Sequence, residues 1–415
     1  MITQEQYNVL RQPVRNLNIK IDLINENDVV VSSFEGITID GNITFSSNST
    51  YRRSGNITMV FDKKYNILPS PESKIWYNKK IGIYIGLKNY LGEVVWFDMG
   101  RFAISDVELN FSTVDKTMSC SLLDYCAFLD GTLSGILSHK IVIDEGTPIS
   151  DAIKTILSDL VKISIEELQI DETDLKLPYT IEKSAGNTIY DLVSEIMELY
   201  MGWTWYFNKE GIFIVEKIRD KKGDPIIESF DNDEKDFTLN STSRVDFSHV
   251  RNSIYVWGRQ LDDGTQVKWN YKNKWMRSSY EELDDLTEKQ KGDICYIANE
   301  DMAYMWNGEN WEMLDFVVLP MFNIESIGEK TYVYNDDKIF NEEQAKLRAE
   351  YELVNYSNFA ETIDFNVVPL YSLRPEQKIY INIDDLIKGE YLINDISIPL
   401  NIEGSMNINC HKLYY

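Results

Sequence analysis

The sequence repeats itself. The residues Gly100-Arg101-Phe102-Ala103-Ile104-Ser105-Asp106-Val107-Glu108-Leu109-Asn110 return as Gly389-Glu390-Tyr391-Leu392-Ile393-Asn394-Asp395-Ile396-Ser397-Ile398-Pro399. A glycine, an aromatic, an isoleucine, an aspartate and two aliphatic residues keep their order and spacing. Upstream, Lys80-Ile81-Gly82-Ile83-Tyr84-Ile85 parallels Lys378-Ile379-Tyr380-Ile381-Asn382-Ile383. Downstream, Thr117-Met118-Ser119 parallels Ser405-Met406-Asn407. A fourth pair, Asn56-Ile57-Thr58-Met59 and Thr362-Ile363-Asp364-Phe365, falls in the same order. Alternation alone makes any two hairpins alike, but four ordered matches point to one β-fold used twice.

Local patterns agree with that reading. Leu17, Ile19, Ile21 and Leu23 alternate with Asn18, Lys20 and Asp22, the period of a half-buried strand. Similar runs follow at 57–61, 81–87, 94–97 and 102–109, separated by Gly, Asn, Asp and Pro turns. They define a first β-barrel domain over 1–131, opened by a short helix with Thr3 and Gln6 at capping-box spacing. The period then changes. Thr147 before Pro148 predicts an N-cap, and Ile149, Ile153, Ile156, Leu157 and Leu160 follow at helical spacing. A second helix starts at Thr188 with Asp191 at the box position, stops at Gly202, and leads into a hairpin of 203–207 and 212–215. This is an α+β middle domain, 132–236, whose exit linker falls at 220–225.

Buried-type strands are expected at 253–257 and 317–322, and strands again from 362 to the end. A helix capped by Asn341 and Gln344 carries Ala345, Leu347, Ala349, Tyr351 and Leu353. The second β-barrel domain is therefore 237–261 together with 316–415. Between its pieces, 262–315 is polar and aromatic-rich, with Trp269, Trp275, Trp306 and Trp311, and reads as an insertion displayed on the surface. The fold class is mainly β: two similar β-barrels, an α+β middle domain and a small surface insertion.

Charge limits the function. A formal net charge of −26 weighs against affinity for nucleic-acid phosphates, which requires clustered Lys and Arg. No apolar run approaches the ~18 residues that span a bilayer, and 316–322 is interrupted by Pro320. The start lacks the basic and apolar segments of a signal peptide, and Cys120, Cys126, Cys295 and Cys410 lack CxxC spacing and read as reduced, mostly buried thiols. Of the three histidines, His139, His249 and His411, none has a partner at metal-ligand spacing. Cys410 and His411 are adjacent, so on a strand they point to opposite faces. The acidic run 231–236 begins like a calcium loop, but it lacks the sixth-position glycine and has Thr242 where the bidentate Glu belongs. There is no GxSxG and no glycine-rich phosphate loop. The reading is a non-enzyme with no cofactor, no metal and no catalytic residue.

Arg52-Arg53-Ser54-Gly55-Asn56-Ile57, Trp96-Phe97-Asp98-Met99-Gly100-Arg101-Phe102, and Met118-Ser119-Cys120-Ser121-Leu122-Leu123-Asp124 running on to Leu129-Asp130-Gly131 resemble the tail hub proteins of phages and phage-tail-like particles. Residues 188–215 resemble that family's middle domain, and 389–401 its second barrel. The resemblance covers nearly all of the chain outside 262–315, on motifs that are structural and loose. It implies a homotrimer whose two barrels per chain make a pseudo-sixfold ring matched to a sixfold tail tube. Implied partners are the tail tube or a distal tail protein ring, a spike or tip protein and a tape-measure protein. DNA would pass through the lumen without specific binding, and the acidic balance suits a wall that repels it. The implied location is the tail or baseplate of a virion, assembled in the host cytoplasm.

Residues 292–296, 304–308 and Trp311 look like small β modules displayed on phage virion proteins. Glycan contact by stacking on Trp306 and Trp311 is one reading. The favoured one is that these rings form a miniature core or pack on a neighbouring subunit, because a tiny domain needs its aromatics inside. Two rival functions stand beside the hub: another tail component such as a distal tail or fibre-attachment protein, and a glycan-binding or cell-wall hydrolase tip protein.

Overall fold

The computed structural model describes residues 2–25, 28–60, 79–112, 116–163, 167–199, 202–219, 221–231, 238–358 and 361–414. Most of the acidic run 231–236, the end of the predicted strand 57–61 and the first residue of the expected linker 220–225 lie outside them.

Helix α1 (Gln4–Leu10) begins at the expected capping box: the Gln6 N–H donates to the Thr3 hydroxyl and the Thr3 N–H donates to the Gln6 side chain, both at 3.1 Å. Strands β1 (Leu17–Ile24), β2 (Val30–Glu35), β3 (Thr38–Ser46), β4 (Arg53–Val60), β5 (Lys80–Lys88), β6 (Val94–Phe111) and β7 (Lys116–Leu123) follow, in the antiparallel order β3-β4-β7-β6-β5-β1-β2. β6 is one long strand where the pattern suggested two. It is bent by two bulges, one at Met99 beside the positive-φ Gly100 and one at Ser105.

The middle segment contains β8 (Ile141–Ile143), α2 (Ile149–Ile156), β9 (Leu168–Ile170), β10 (Ile181–Lys183), α3 (Ile189–Glu198), β11 (Trp203–Phe207) and β12 (Phe213–Lys217). α3 has the Thr188–Asp191 box, and β11 and β12 form the expected hairpin. Ile153, Leu192, Val193, Ile196, Phe207 and Phe213 fill a core of their own. The predicted Thr147 cap is absent. Its hydroxyl donates to the Asp144 carbonyl at 2.7 Å, the local backbone bond that Thr offers in a turn, and Pro148 holds the N-cap position without a side-chain bond.

The remainder comprises β13 (Ile226–Phe230), β14 (Thr238–Val245), β15 (Ser253–Gln260), β16 (Gln266–Arg277), β17 (Asp293–Ile297), β18 (Met302–Trp306), β19 (Trp311–Met313), α4 (Ile324–Ile327), β20 (Thr331–Asn335), α5 (Glu342–Asn358), β21 (Glu361–Val367), β22 (Lys378–Ile383), β23 (Ile387–Pro399) and β24 (Met406–Lys412). Here strand pairing redraws the expected boundaries. β13, assigned to the middle segment by its position, pairs in parallel with β22. β15 and β20, assigned to the second barrel, form one six-stranded sheet with the insertion, in the order β19-β18-β17-β16-β15-β20. α5 closes that sheet with Ala345, Ala349 and Leu353, one residue per turn, while Leu347 and Tyr351 point outward and are partly exposed. The inserted unit therefore runs from about 250 to 358, not 262–315. The strand expected at 317–322 does not form. Pro320 has no N–H for a ladder and sits in a single tight turn, 320–322, although Val318 and Leu319 are buried.

The two halves are not separate in the hydrogen-bond network. β14-β21-β24-β23 continues through β23–β3 pairing into β4-β7-β6-β5-β1-β2, giving one thirteen-stranded sheet over one apolar core. Within it the repeat holds register for register. Gly100 faces Ile83 as Gly389 faces Ile381, and Phe102 faces Ile81 as Tyr391 faces Ile379. Ser105 bulges between pairs Ile104–Leu122 and Asp106–Ser121; Asn394 bulges between pairs Ile393–Cys410 and Asp395–Asn409. β3 and β14 correspond as well: Thr38 faces Met59 as Thr238 faces Val367, the next residue bulges in each, and Gly41 faces Ile57 as Ser241 faces Phe365. Only the fourth sequence match is displaced. Through its pairing with β24, Phe365 corresponds to Ile57, two residues from the sequence alignment. A slip of two leaves the same side chains facing inward, so alternation cannot detect it.

Candidate assembly surface

Where β14, β21, β24, β23, β3, β4, β7 and β6 lie side by side, the six strands from β21 to β7 carry apolar side chains such as Ile43, Ile57, Met118, Phe365, Ile396 and Ile408 into the core. At the two ends the same side holds half-buried Val107 and Leu109 on β6, and Ser241, Ser243 and Val245 on β14. The opposite face carries short polar side chains. These bond across the strands: Asn42 Nδ2 to Ser397 Oγ at 2.8 Å, Asn366 Nδ2 to Asn240 Oδ1 at 2.7 Å, Asn407 Nδ2 to Asn366 Oδ1 at 3.1 Å, and Asn409 Nδ2 to Asp364 Oδ1 at 2.8 Å. Thr58 and Ser119 share a hydroxyl bond at 3.0 Å. Asp40, Asp106, Glu108, Asp364 and Asp395 lie on this face, against Arg244 as the basic residue at these positions. The surface is flat in side-chain length, uncharged over most of its area and acidic in balance, a poor match for polyanionic phosphates.

A second feature joins the two halves to the middle segment through arginines. Arg53, buried, donates Nη1 to the Phe207 carbonyl at 3.1 Å, and its own N–H donates to the Asp124 carboxylate at 3.1 Å. Burial lowers the Arg53 pKa, opposed by the Asp124 charge; burial likewise raises that of Asp124, opposed by Arg53. Arg374 crosses from the second half to donate Nη2 to the Asp98 carbonyl at 2.6 Å, and burial brings its pKa down to about 10. Arg52 Nη2 reaches Thr204 at 3.0 Å, and Lys209 Nζ reaches Asp98 at 3.2 Å. Gly100 sits inside this joint, where a Cβ would lie 3.1 Å from Arg53 Cδ.

The sequence-predicted aromatic pair is together. Trp306 and Trp311 are directly opposite on β18 and β19, edge to face at 5.5 Å between centroids. Trp311 also meets Trp275 at 6.3 Å and packs against a small core of Trp275, Leu283, Leu286, Cys295 and Ile297. Trp306 is half-buried beneath Lys289 Nζ, 4.6 Å from its ring centroid. The histidines stay apart in role. His411 is buried with Nδ1 2.6 Å from Asn394 Oδ1, and burial holds its pKa down at about 4. His139 and His249 are exposed. Among the described residues no three His, Cys, Asp or Glu side chains come close enough to hold a metal ion, and no helix is long and apolar enough to cross a membrane.

No protein-family model matches the sequence, and no curated protein matches it. Solved structures do. The chain has the fold of phage tail proteins. It superposes on the tail protein from Neisseria meningitidis MC58 with a TM-score of 0.59 at 11% identity, over 95% of this chain and 96% of that one. The 43 kDa tail protein of prophage MuSo2 from Shewanella oneidensis gives 0.57 at 11% identity over 95% and 98%. The prophage tail protein gp18 from Listeria monocytogenes EGD-e gives 0.51 at 10% identity over 95% and 94%. The polar sheet face and the strand edges were not foreseen from sequence. The signal was there in the Asn, Ser and Thr residues that alternate with the core isoleucines of both repeats.

Proposed function

We propose that this chain is a structural tail protein acting as the hub: three copies close a ring on the tail axis and present six similar positions to a sixfold tube. The observation that carries this is the duplication in register within one continuous sheet, since a chain with two equivalent units offers a threefold ring the local geometry of a sixfold one. The likeness of fold to phage tail proteins supports it. The polar, acid-biased sheet face would line the passage, where it repels a polyanion and offers it no cationic foothold. A tube or distal tail ring would stack on one side of this ring and a spike or tip protein on the other. Symmetry analysis of intact tails tests the reading: three copies on the axis are expected, and six copies, or attachment outside the tube, would overturn it.

A further inference from the structure

The β23–β3 joint has a counterpart that stands open. In the second copy, β22 pairs with β23 as far as Leu392, and beyond it the same edge, from Asp395 to Pro399, is occupied by β3. In the first copy, β5 pairs with β6 as far as Ala103. Beyond that, no strand among the described residues occupies the matching edge at 106–110. The other member is open too. β3 pairs with β4 on one edge and β23 on the other, whereas among the described residues its counterpart β14 pairs with β21 alone. Each chain thus holds one completed joint and both halves of another. The halves lie at opposite ends of the run β14-β21-β24-β23-β3-β4-β7-β6, so they point away from each other.

Exposure marks the missing neighbours. At the completed joint Ile396, Ile398 and Leu400 are at most 1% exposed. The corresponding Val107 and Leu109 are only half-buried. On the strand side, Phe45 is 4% exposed and its counterpart Val245 is 46% exposed.

We propose that β14 of a second copy of this chain pairs antiparallel with the 106–110 edge of β6, in the register of β3 on β23. This deepens the hub reading and rests on it for the number of copies, but not for the pairing itself. Asp395, Ile396, Ser397, Ile398 and Pro399 face Ser46, Phe45, Thr44, Ile43 and Asn42. Carried over through the repeat, Val107 faces Val245, Glu108 faces Arg244, Leu109 faces Ser243 and Asn110 faces Thr242. On the core side Val107 meets Val245 and Leu109 meets the small Ser243, and on the polar face the opposite charges of Glu108 and Arg244 meet. Asp106 falls opposite Asp246 at the end of the joint, where Arg244 already donates to the Asp246 carboxylate at 2.8 Å and offsets its charge. The acidic residues Asp106 and Glu108 also keep an unpaired edge from joining strands at random.

Cysteine pairs read the register directly. In the full-length chain at its highest soluble concentration, oxidised mildly, Glu108→Cys with Arg244→Cys should give covalent multimers on a non-reducing gel. The intrachain pair Thr44→Cys with Ser397→Cys, the same geometry at the completed joint, serves as the positive control. The displaced pair Glu108→Cys with Thr242→Cys should cross-link at least tenfold more slowly. Independently, Glu108→Arg should weaken self-association roughly tenfold by sedimentation, and adding Arg244→Glu should restore it. A three-copy oligomer in which the control forms and the 108–244 pair does not would overturn the pairing and leave the hub reading standing. Cross-linking within an oligomer of another size would support the pairing and overturn the hub reading. A chain that stays monomeric throughout would overturn the pairing.

Discussion

His411 shows how one buried side chain couples this sheet to pH. Its imidazole is neutral in the folded chain and titrates near 4, against about 6.5 when unfolded. Between those values the unfolded chain binds the proton and the folded one does not, so stability is highest above pH 6.5 and falls as the pH drops toward 4. The contribution is on the order of 3 kcal/mol once the pH has fallen below both values. Urea unfolding from pH 7 to 4 should show a steeper loss for the wild type than for His411→Gln, and equal slopes would refute the coupling. The tryptophan pair divides differently. Trp311→Ala should cost about 2 kcal/mol through lost packing on Trp275, and Trp306→Ala less than about 1 kcal/mol, by thermal melts. Retention of the wild type on a cell-wall glycan matrix, lost with Trp306→Ala at unchanged stability, would make the pair a contact surface instead of a core.

Elements were legible to the extent that their information is local. Periods of 2 and 3.6, the Thr3 and Thr188 boxes, and the Asn341 cap, whose Oδ1 accepts from the Gln344 N–H at 2.8 Å, needed only neighbours a few residues away. Pairing was not legible. Nothing near Asn42 announces that it will face Pro399, and the alternation of β15 is the same whether it joins the large sheet or the small one. That distinction changes a practical expectation. Excising 262–315 would remove β16 to β19 and strip β15, β20 and the Ala345–Ala349–Leu353 face of α5, so it should abolish cooperative unfolding of that unit. Excising 246–360 and joining Val245 to Glu361 by a two-residue turn should leave the large sheet folded, since those residues already face each other at the end of β14 and β21. Calorimetry would show one lost transition in the second variant. Loss of the main transition would show that the large sheet leans on the inserted unit.

For the whole molecule, the duplication was legible because both copies kept their core pattern, and it carried the fold class further than any motif did. The candidate assembly surface was not legible, because an edge becomes an edge only once every other strand has been paired. Half-buried Val107 and buried Ile396 stand at the same place in the repeat, and only their neighbours in space tell them apart. The hub reading makes the same demand on the particle. Its three-copy ring would leave the six positions alternating between 106–110 with β14 and 395–399 with β3.

Val245 and Glu361 stand directly opposite each other, so the inserted unit leaves and re-enters the sheet within the width of one strand pair. A segment attached this way behaves as a cartridge. Its length and content can change by exchange at one hairpin without altering the path of any strand in the large sheet. A foreign domain whose own termini lie close together, such as a fluorescent reporter, should be accepted at the same place. It would give each chain one label whose attachment leaves the large sheet undisturbed.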